Sequence, residues 1–200
     1  MYGGSTPLVI PIKYIPTGKE TWMFITTTQN KPAYHKMITP DRIVNVTGET
    51  GSGKSSLCQI EFGDNERYLV IDTDKIFDSS PTSPEIESLR EVFKNKTKDM
   101  LMNDFDLFYK TLLAHFKNEK RILIIDSAQY RNIKDVSLLK GDIIIMRTCV
   151  DTCFQRCVDR YTQKNPHATE EEKRLYAQKK MGMYQWYHSL NKLIERVDNI

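Results

Sequence analysis

Residues 48–55, with the sequence GETGSGKS, constrain the fold of this chain more than any other stretch. They fit the pattern G-x-x-x-x-G-K-[ST] of a phosphate-binding loop (P-loop, or Walker A motif), whose glycines let backbone amides curl around phosphate oxygens. In this pattern Lys54 supplies a positive charge to the β- and γ-phosphates, and the Ser55 hydroxyl is a ligand for Mg²⁺. The residues predicted to bind ATP are Gly48, Glu49, Thr50, Gly51, Ser52, Gly53, Lys54, Ser55 and Ser56.

The residues on either side of the loop supply the context that the motif requires. Residues 42–47 are β-prone, which predicts a strand, and residues 56–60 are compatible with a helix. Strand, loop and helix together aim the first helical amides at the phosphates. A turn that matches the pattern by chance is the alternative, and both flanks argue against it.

Composition and charge narrow the class of protein. The 200 residues suffice for one α/β domain with a core, and the net charge of +3 suits an anionic ligand without indicating nucleic acid. We see no apolar run long enough to cross a membrane and no signal peptide, so we expect a cytoplasmic protein without a membrane partner. Cys149, Cys153 and Cys157 share one helical face, where we expect small buried hydrophobic side chains; a metal site is the alternative.

Two regions of the chain differ in composition. Residues 1–41 contain five prolines in their length and a β-prone run at 21–28, which predicts an N-terminal extension with short strands. A partly disordered arm or a strand that binds a partner is the alternative. We expect residues 42–200 to form a single α/β domain that contains the P-loop.

Strand-like and helix-like segments alternate through this domain. Apolar runs predict strands buried on both faces, at residues 68–71, 121–126 and 141–147. Apolar periodicity predicts two helices within 85–117, a helix at 151–161 and one long helix at 169–197, which begins with a capping box formed by Thr169 and Glu172. The alternation predicts a three-layer α/β fold of the P-loop NTPase type, with a parallel sheet and helices on both faces.

Acidic residues follow two of the predicted strands, at the sheet edge where ligands bind in parallel sheets. Asp126 ends a run of four aliphatic residues, as in a Walker B strand, and we expect it to hold Mg²⁺ opposite Ser55. The alternative is an acidic strand end that caps the next turn. Asp72 and Asp74 are two residues apart, so in an extended strand both carboxylates would face the crevice. One of them is a candidate base for an acceptor hydroxyl; the alternative is a solvated turn with Asp74 capping a short helix.

These motifs resemble the small P-loop kinases of the nucleoside, nucleotide and shikimate type, a group that includes zeta-toxin-like kinases. Residues 145–160 add to the resemblance, because a strand, a short loop and a helix there carry two arginines four residues apart. The resemblance implies that Arg156 lies near the adenine and phosphates, that Arg160 neutralises the transferring phosphoryl group, and that residues 156–169 form a lid. Two guanidinium groups on one helical face also suit phosphate oxygens on physical grounds. Solvated arginines that pair with Asp151, Asp159 or Glu172 are the alternative.

The sequence departs from this family in two respects. The glycine-rich substrate loop of the shikimate type is absent, which argues against shikimate as the acceptor. The family also has a further strand after the last long helix, and we see none before residue 200. Either the chain continues further, or the N-terminal extension supplies the missing edge of the sheet.

The resemblance implies an ATP- and Mg²⁺-dependent kinase that acts on a small hydroxyl- or phosphate-bearing acceptor, such as a nucleoside, nucleotide or sugar nucleotide. One alternative is a P-loop NTPase without an acceptor; a guanine-reading N-K-x-D motif is missing after Asp126, which argues against a GTPase. The other is a polynucleotide 5′-hydroxyl kinase, since basic runs at 94–98 and 173–180 could bind phosphates. Such runs are more often solvated helix faces, so a nucleic-acid partner is not favoured.

Overall fold

The computed structural model describes residues 33–97, 99, 103–182 and 185–200, together with two short strands at 15–16 and 20–21. These residues form a mixed α/β structure built on a five-stranded sheet. The strands are β1 (Ile15–Pro16), β2 (Glu20–Thr21), β3 (Tyr34–Met37), β4 (Ile43–Gly48), β5 (Tyr68–Asp72), β6 (Ile122–Asp126) and β7 (Asp142–Met146). The helices are α1 (Lys54–Phe62), α2 (Thr73–Ile76), α3 (Pro84–Phe93), α4 (Phe105–His115), α5 (Val150–Lys164), α6 (Glu170–Met181) and α7 (Gln185–Asp198), with short 3-10 helices η1 (Ala128–Asn132) and η2 (Val136–Leu138).

The sheet has the strand order β3-β7-β4-β6-β5. Strands β4, β5, β6 and β7 run parallel, as predicted, so their carboxyl ends meet at one edge. There Asp126 lies opposite Val46 on one neighbouring strand and opposite Asp72 on the other. The sheet is not wholly parallel, however, because β3 pairs antiparallel with β7. Residues 34–37 belong to the predicted N-terminal extension. They form the outer edge strand of the sheet, which is one of the two alternatives given above for the missing edge.

The core lies on both faces of the sheet because successive strand residues point to opposite sides. On one face, residues such as Ile71, Ile125 and Ile145 pack with the buried sides of α3, α4 and α7. On the other face, neighbours such as Ile124 pack against Phe62 of α1. Strands β6 and β7 are buried along their whole length, which explains why their sequences are continuous apolar runs.

A buried polar network fixes the base of the P-loop strand. Asn45, in the middle of β4, donates from its side-chain amide to the carbonyls of Lys140 (2.7 Å) and Asp142 (2.8 Å). Its side-chain oxygen accepts from the hydroxyls of Tyr109 (2.9 Å) and Tyr130 (2.6 Å). All four hydrogen-bonding positions of this amide are therefore used. The network ties β4 to α4 and to η1, the short helix that follows Asp126.

The helices agree with the sequence predictions in all but one case. Two helices occupy the 85–117 region, and α5 covers and extends the helix predicted at 151–161. The single helix predicted at 169–197 is wrong: α6 ends at Met181, where Gly182 adopts a left-handed conformation (φ 57°), and α7 begins at Gln185. A glycine in this conformation is a common helix stop. The capping box of Thr169 and Glu172 is confirmed.

Helices α5 and α6 pack side by side around a small core that includes two of the three spaced cysteines. Cys153 and Cys157 are buried there with Ala177 and Met181, as expected for small hydrophobic side chains. Cys149 is exposed, because it precedes α5 rather than lying on its buried face, so that prediction is wrong for this residue. No cluster of three or more metal-binding side chains occurs within the described ranges.

The remaining predictions for the N-terminal region fall largely outside the described residues. Of the β-prone run at 21–28, only Thr21 is described, as the end of β2. Strands β1 and β2 pair antiparallel as a separate two-stranded unit. None of the described helices is both long and apolar enough to cross a membrane.

Candidate functional site

The P-loop connects β4 to α1 through residues 49–53, and its glycines are required by the backbone. Gly51 and Gly53 have φ angles of 84° and 94°, in the left-handed region that other residues rarely adopt. A Cβ atom on Gly51 would also lie 2.6 Å from the carbonyl oxygen of Cys153. The loop is therefore held against α5, and it leads directly into Lys54, the first residue of α1.

A cavity of about 750 Å³ opens in front of the loop and of the N-terminus of α1. Its walls come from the P-loop, from Asp74, from η1 and from the α5–α6 pair. The residues that line it are Thr50, Gly51, Gly53, Lys54, Ser55, Ser56, Asp74, Ala128, Gln129, Arg131, Arg160, Tyr176, Lys179, Lys180 and Gly182. Gly48, Glu49 and Ser52, which the motif also includes, lie behind this wall.

The cavity is strongly basic. Five of its lining residues are cationic, namely Lys54, Arg131, Arg160, Lys179 and Lys180, and Asp74 is the one carboxylate among the lining residues that the structure describes. Backbone amides at the start of α1 add the positive end of a helix dipole. An anion with several charges, such as a nucleoside triphosphate, matches this lining better than a neutral ligand does.

Asp126 lies beside the cavity, at the end of β6, with 2% of its surface exposed. Neither of its carboxylate oxygens accepts a hydrogen bond of good geometry from any residue in the described ranges. Burial raises its pKa to about 6, although Lys54 and the nearby Ser55 hydroxyl favour the charged form. A buried carboxylate without a partner next to a serine hydroxyl is suited to a hard cation with oxygen ligands, so these two residues fit Mg²⁺.

Asp72 and Asp74 do not share one face of a strand, because helix α2 begins at Thr73. Asp72 caps this helix and its carboxylate accepts a hydrogen bond from the Asp74 amide (3.0 Å). The cap is thus Asp72, rather than Asp74 as in the alternative interpretation. The two side chains also separate: Asp74 lines the basic cavity, whereas Asp72 lines a second cavity of about 400 Å³.

The second cavity adjoins the first at Ser55, which lines both. It also contains Asp126, so the predicted metal ligands lie where the two cavities meet. Burial raises the pKa of Asp72, and the hydrogen bond from the Asp74 amide opposes that rise. Of the two acids predicted as candidate bases, Asp74 is the one that faces the phosphate-binding loop.

The two predicted lid arginines both reach the P-loop region. Arg156 donates to the carbonyl oxygen of Gly51 (3.0 Å), and Arg160 lines the cavity one helical turn further along α5. Two of the acids that were alternative partners are engaged elsewhere: Asp159 accepts from Gln155, and Glu172 caps α6. The arrangement brings Arg160 together with Lys54 at one cavity.

Arg131 and Glu49 influence each other electrostatically, which the sequence did not reveal. Glu49 is 2% exposed and lies beneath the loop, where burial raises its pKa to about 7 and the charge of Arg131 lowers it. Arg131 is half-buried in η1 and lines the cavity; burial lowers its pKa to about 10, against the attraction of Glu49. A 3-10 helix leaves no periodic pattern in the sequence, so only the position of Arg131 five residues after Asp126 could have indicated it.

No family model matches the sequence, and no curated protein matches it. A chain from a solved structure of the Pnkp1/Rnl/Hen1 RNA repair complex is similar in structure, with 18% identity and a TM-score of 0.43, and the likeness covers 75% of this chain. This chain spans 45% of the length of that one. At this identity and TM-score we draw neither family nor function from the likeness.

Proposed function

We propose that this protein is an ATP-dependent phosphotransferase with the three-layer fold of the P-loop kinases. The observation that carries the proposal is the basic cavity where Lys54 and Ser55, at the start of α1, lie beside the buried Asp126. Lys54 and the Ser55 hydroxyl offset the burial of the Asp126 carboxylate only in part, so a bound cation would stabilise its charged form further. A P-loop lysine, a serine hydroxyl and a strand-end acid are together the parts that a Mg²⁺–ATP site requires.

In this proposal the P-loop amides and Lys54 bind the β- and γ-phosphates of ATP. Ser55 and Asp126 hold Mg²⁺, which when bound supplies positive charge to the phosphate oxygens. Arg160 lines the same cavity as the loop, where its guanidinium group can stabilise the charge on the transferring phosphoryl group. The α5–α6 pair then excludes water from the reacting atoms.

Asp74 is the candidate base on the acceptor side, since it is the carboxylate that faces the cavity. It would accept the proton of an attacking hydroxyl group, as the acceptor-side acid does in phosphoryl transfer. This residue distinguishes a kinase from an NTPase without an acceptor, which would need only to position water. Asp72 would act indirectly, by capping the helix that carries Asp74.

The charge of the cavity supports one class of acceptor. Lys179, Lys180 and Arg131 add cations beyond Lys54 and Arg160, and these favour an acceptor that carries phosphate, such as a nucleotide or a sugar nucleotide. Both lysines line the cavity and are exposed. A 5′-hydroxyl end of a nucleic acid, whose backbone continues past the cavity, is therefore the second candidate acceptor.

The proposal is tested by incubating the protein with Mg²⁺ and γ-labelled ATP and a panel of acceptors. The panel contains nucleosides, nucleotides, sugars, sugar nucleotides and 5′-hydroxyl oligonucleotides, with label transfer and ADP release as readouts. We expect transfer to at least one phosphate-bearing acceptor, and none by the Lys54→Ala variant. ADP release without transfer to any acceptor would favour an NTPase, and failure to bind Mg²⁺–ATP would overturn the proposal.

A further inference from the structure

Two stacked tyrosines form part of the wall of the basic cavity. Tyr161 in α5 and Tyr176 in α6 have ring centroids 4.4 Å apart and ring planes inclined by 24°. Tyr176 is the one aromatic residue among the described residues that line the cavity. One face of its ring is covered by Tyr161, and the ring is half-buried.

The surrounding packing holds this pair in place. Ala177, the residue after Tyr176, is fully buried against Cys153 and Cys157 of α5. Such small side chains let the two helices approach closely, which brings the rings into contact. A ring that is already ordered by its neighbours loses little conformational entropy when a ligand stacks on it.

Cations lie next to the same ring. The Lys180 ammonium is 5.7 Å from the centroid of Tyr176, and both Lys179 and Lys180 line the cavity. An aromatic pair could serve only to join the two helices, but that role requires neither a place on the cavity wall nor adjacent cations. A flat aromatic surface beside positive charge is complementary to a nucleotide, which combines a base with anionic phosphates.

We propose that Tyr176, backed by Tyr161, is the stacking site for the base of the nucleotide whose phosphates bind the P-loop. The inference rests on the proposed function, and it adds the residue that recognises the base. When the base stacks on Tyr176, the Lys180 ammonium leaves the ring and binds a phosphate oxygen instead. Because every base has an aromatic face, stacking discriminates weakly between bases, and ATP and GTP should bind with similar affinity.

The test compares two ligands that share phosphates and differ in the base. Titration calorimetry measures the affinity for Mg²⁺–ATP and for Mg²⁺–tripolyphosphate, with the wild type and with Tyr176→Leu and Tyr176→Phe. We expect Tyr176→Leu to weaken ATP binding roughly 5- to 150-fold and to leave tripolyphosphate binding unchanged, because stacking on an aromatic side chain is lost. Tyr176→Phe should keep wild-type affinity for both. The control is Leu175→Ala, since Leu175 is the exposed neighbour outside the cavity.

A second variant reports stacking directly. In Tyr176→Trp, we expect ATP to quench the added tryptophan fluorescence and tripolyphosphate to leave it unchanged, relative to the wild type. The stacking inference would be overturned if Tyr176→Leu lost affinity equally for both ligands or kept its ATP affinity. It would also be overturned if both ligands changed the fluorescence of Tyr176→Trp equally. None of these results would affect the proposed function. If the wild type binds neither ligand, the proposed function is wrong as well.

Discussion

The two walls of the basic cavity differ in how they are built. The P-loop wall comes from one segment, residues 50–56 without Ser52, at a fixed turn and the start of a helix, and much of it is backbone. The second wall consists of long side chains from three separate elements: Arg131 from η1, Arg160 from α5, and Tyr176, Lys179 and Lys180 from α6. Backbone amides bind a ligand through short-range contacts that dissolved salt hardly affects. Exposed charged side chains attract the ligand over a longer range, and salt screens that attraction.

The largest expected effect comes from the P-loop wall. We expect Lys54→Ala to fold normally and to lose phosphoryl transfer by about 10³-fold or more, because the developing charge on the phosphoryl group loses its nearest cation. Circular dichroism and a transfer assay measure the two properties. Lys192→Ala, an exposed lysine on α7, is the matched control. Transfer at the wild-type rate in soluble Lys54→Ala would remove the basis for assigning this wall to ATP.

The next effect separates the two strand-end acids. We expect Asp74→Asn to reduce transfer by about 10² to 10⁴, since asparagine keeps the shape but cannot take a proton. Asp72→Asn should retain most activity, because an asparagine side chain can still cap α2. Both variants should bind Mg²⁺–ATP as the wild type does. The opposite order of activities would move the base to the second cavity, and loss of ATP affinity in both would place these acids in the metal shell.

The third prediction concerns the free energy of unfolding, on which we expect an effect of intermediate size from replacing Asp126. Its pKa of about 6 in the folded protein is higher than in the unfolded chain, so folding disfavours its charged form. Without Mg²⁺, Asp126→Asn should therefore be more stable than the wild type by about 3 kcal/mol at neutral pH, from 1.36 kcal/mol per pKa unit. The difference should grow between about pH 4 and pH 6 and then stay constant, because only the unfolded chain is ionised in that window.

Denaturant unfolding in chelator across this pH range measures the effect, with the exposed Asp64→Asn as control. Mg²⁺ should stabilise the wild type and leave Asp126→Asn unchanged, because only the wild type keeps the carboxylate. A less stable Asp126→Asn at neutral pH would mean that the carboxylate already has a good partner, and the metal assignment would lose its support.

The smallest effect belongs to the exposed lysines of the second wall. We expect the double change Lys179→Gln and Lys180→Gln to weaken Mg²⁺–ATP binding roughly two- to fivefold at low salt. The loss should shrink at high salt, where exposed charges are screened. Lys164→Gln, an exposed lysine of α5 outside the cavity, is the control. A loss of 10²-fold or more would show that these side chains act at close range, like those of the P-loop wall.

The same contrast explains how much of the site could be predicted. The P-loop wall is contiguous in sequence, so its spacing alone indicates its chemistry. The residues of the second wall converge only because α6 packs along α5 and because the Asn45 network fixes η1. The prediction for Asp72 and Asp74 used strand geometry, and it was wrong where α2 begins at Thr73, directly after β5.

The fold could be predicted to a similar extent. Strands β6 and β7 were found because strands buried on both faces are continuous apolar runs. The edge strand at residues 34–37 is short and polar, and it forms by pairing with the buried residues 142–145, a partner that its own sequence does not indicate. The break near Gly182 was missed because the apolar periodicity continues on both sides of it.

Hydrogen exchange measured with and without Mg²⁺–ATP tests most directly whether both walls engage one nucleotide. We expect ATP to slow exchange in the P-loop segment 49–57 and also in residues 156–169, the predicted lid, and along α6 to Met181, because lids close over the phosphates. Lys54→Ala should lose both sets of protection together. Protection confined to residues 49–57, with exchange in α5 and α6 unchanged by ATP, would contradict the account.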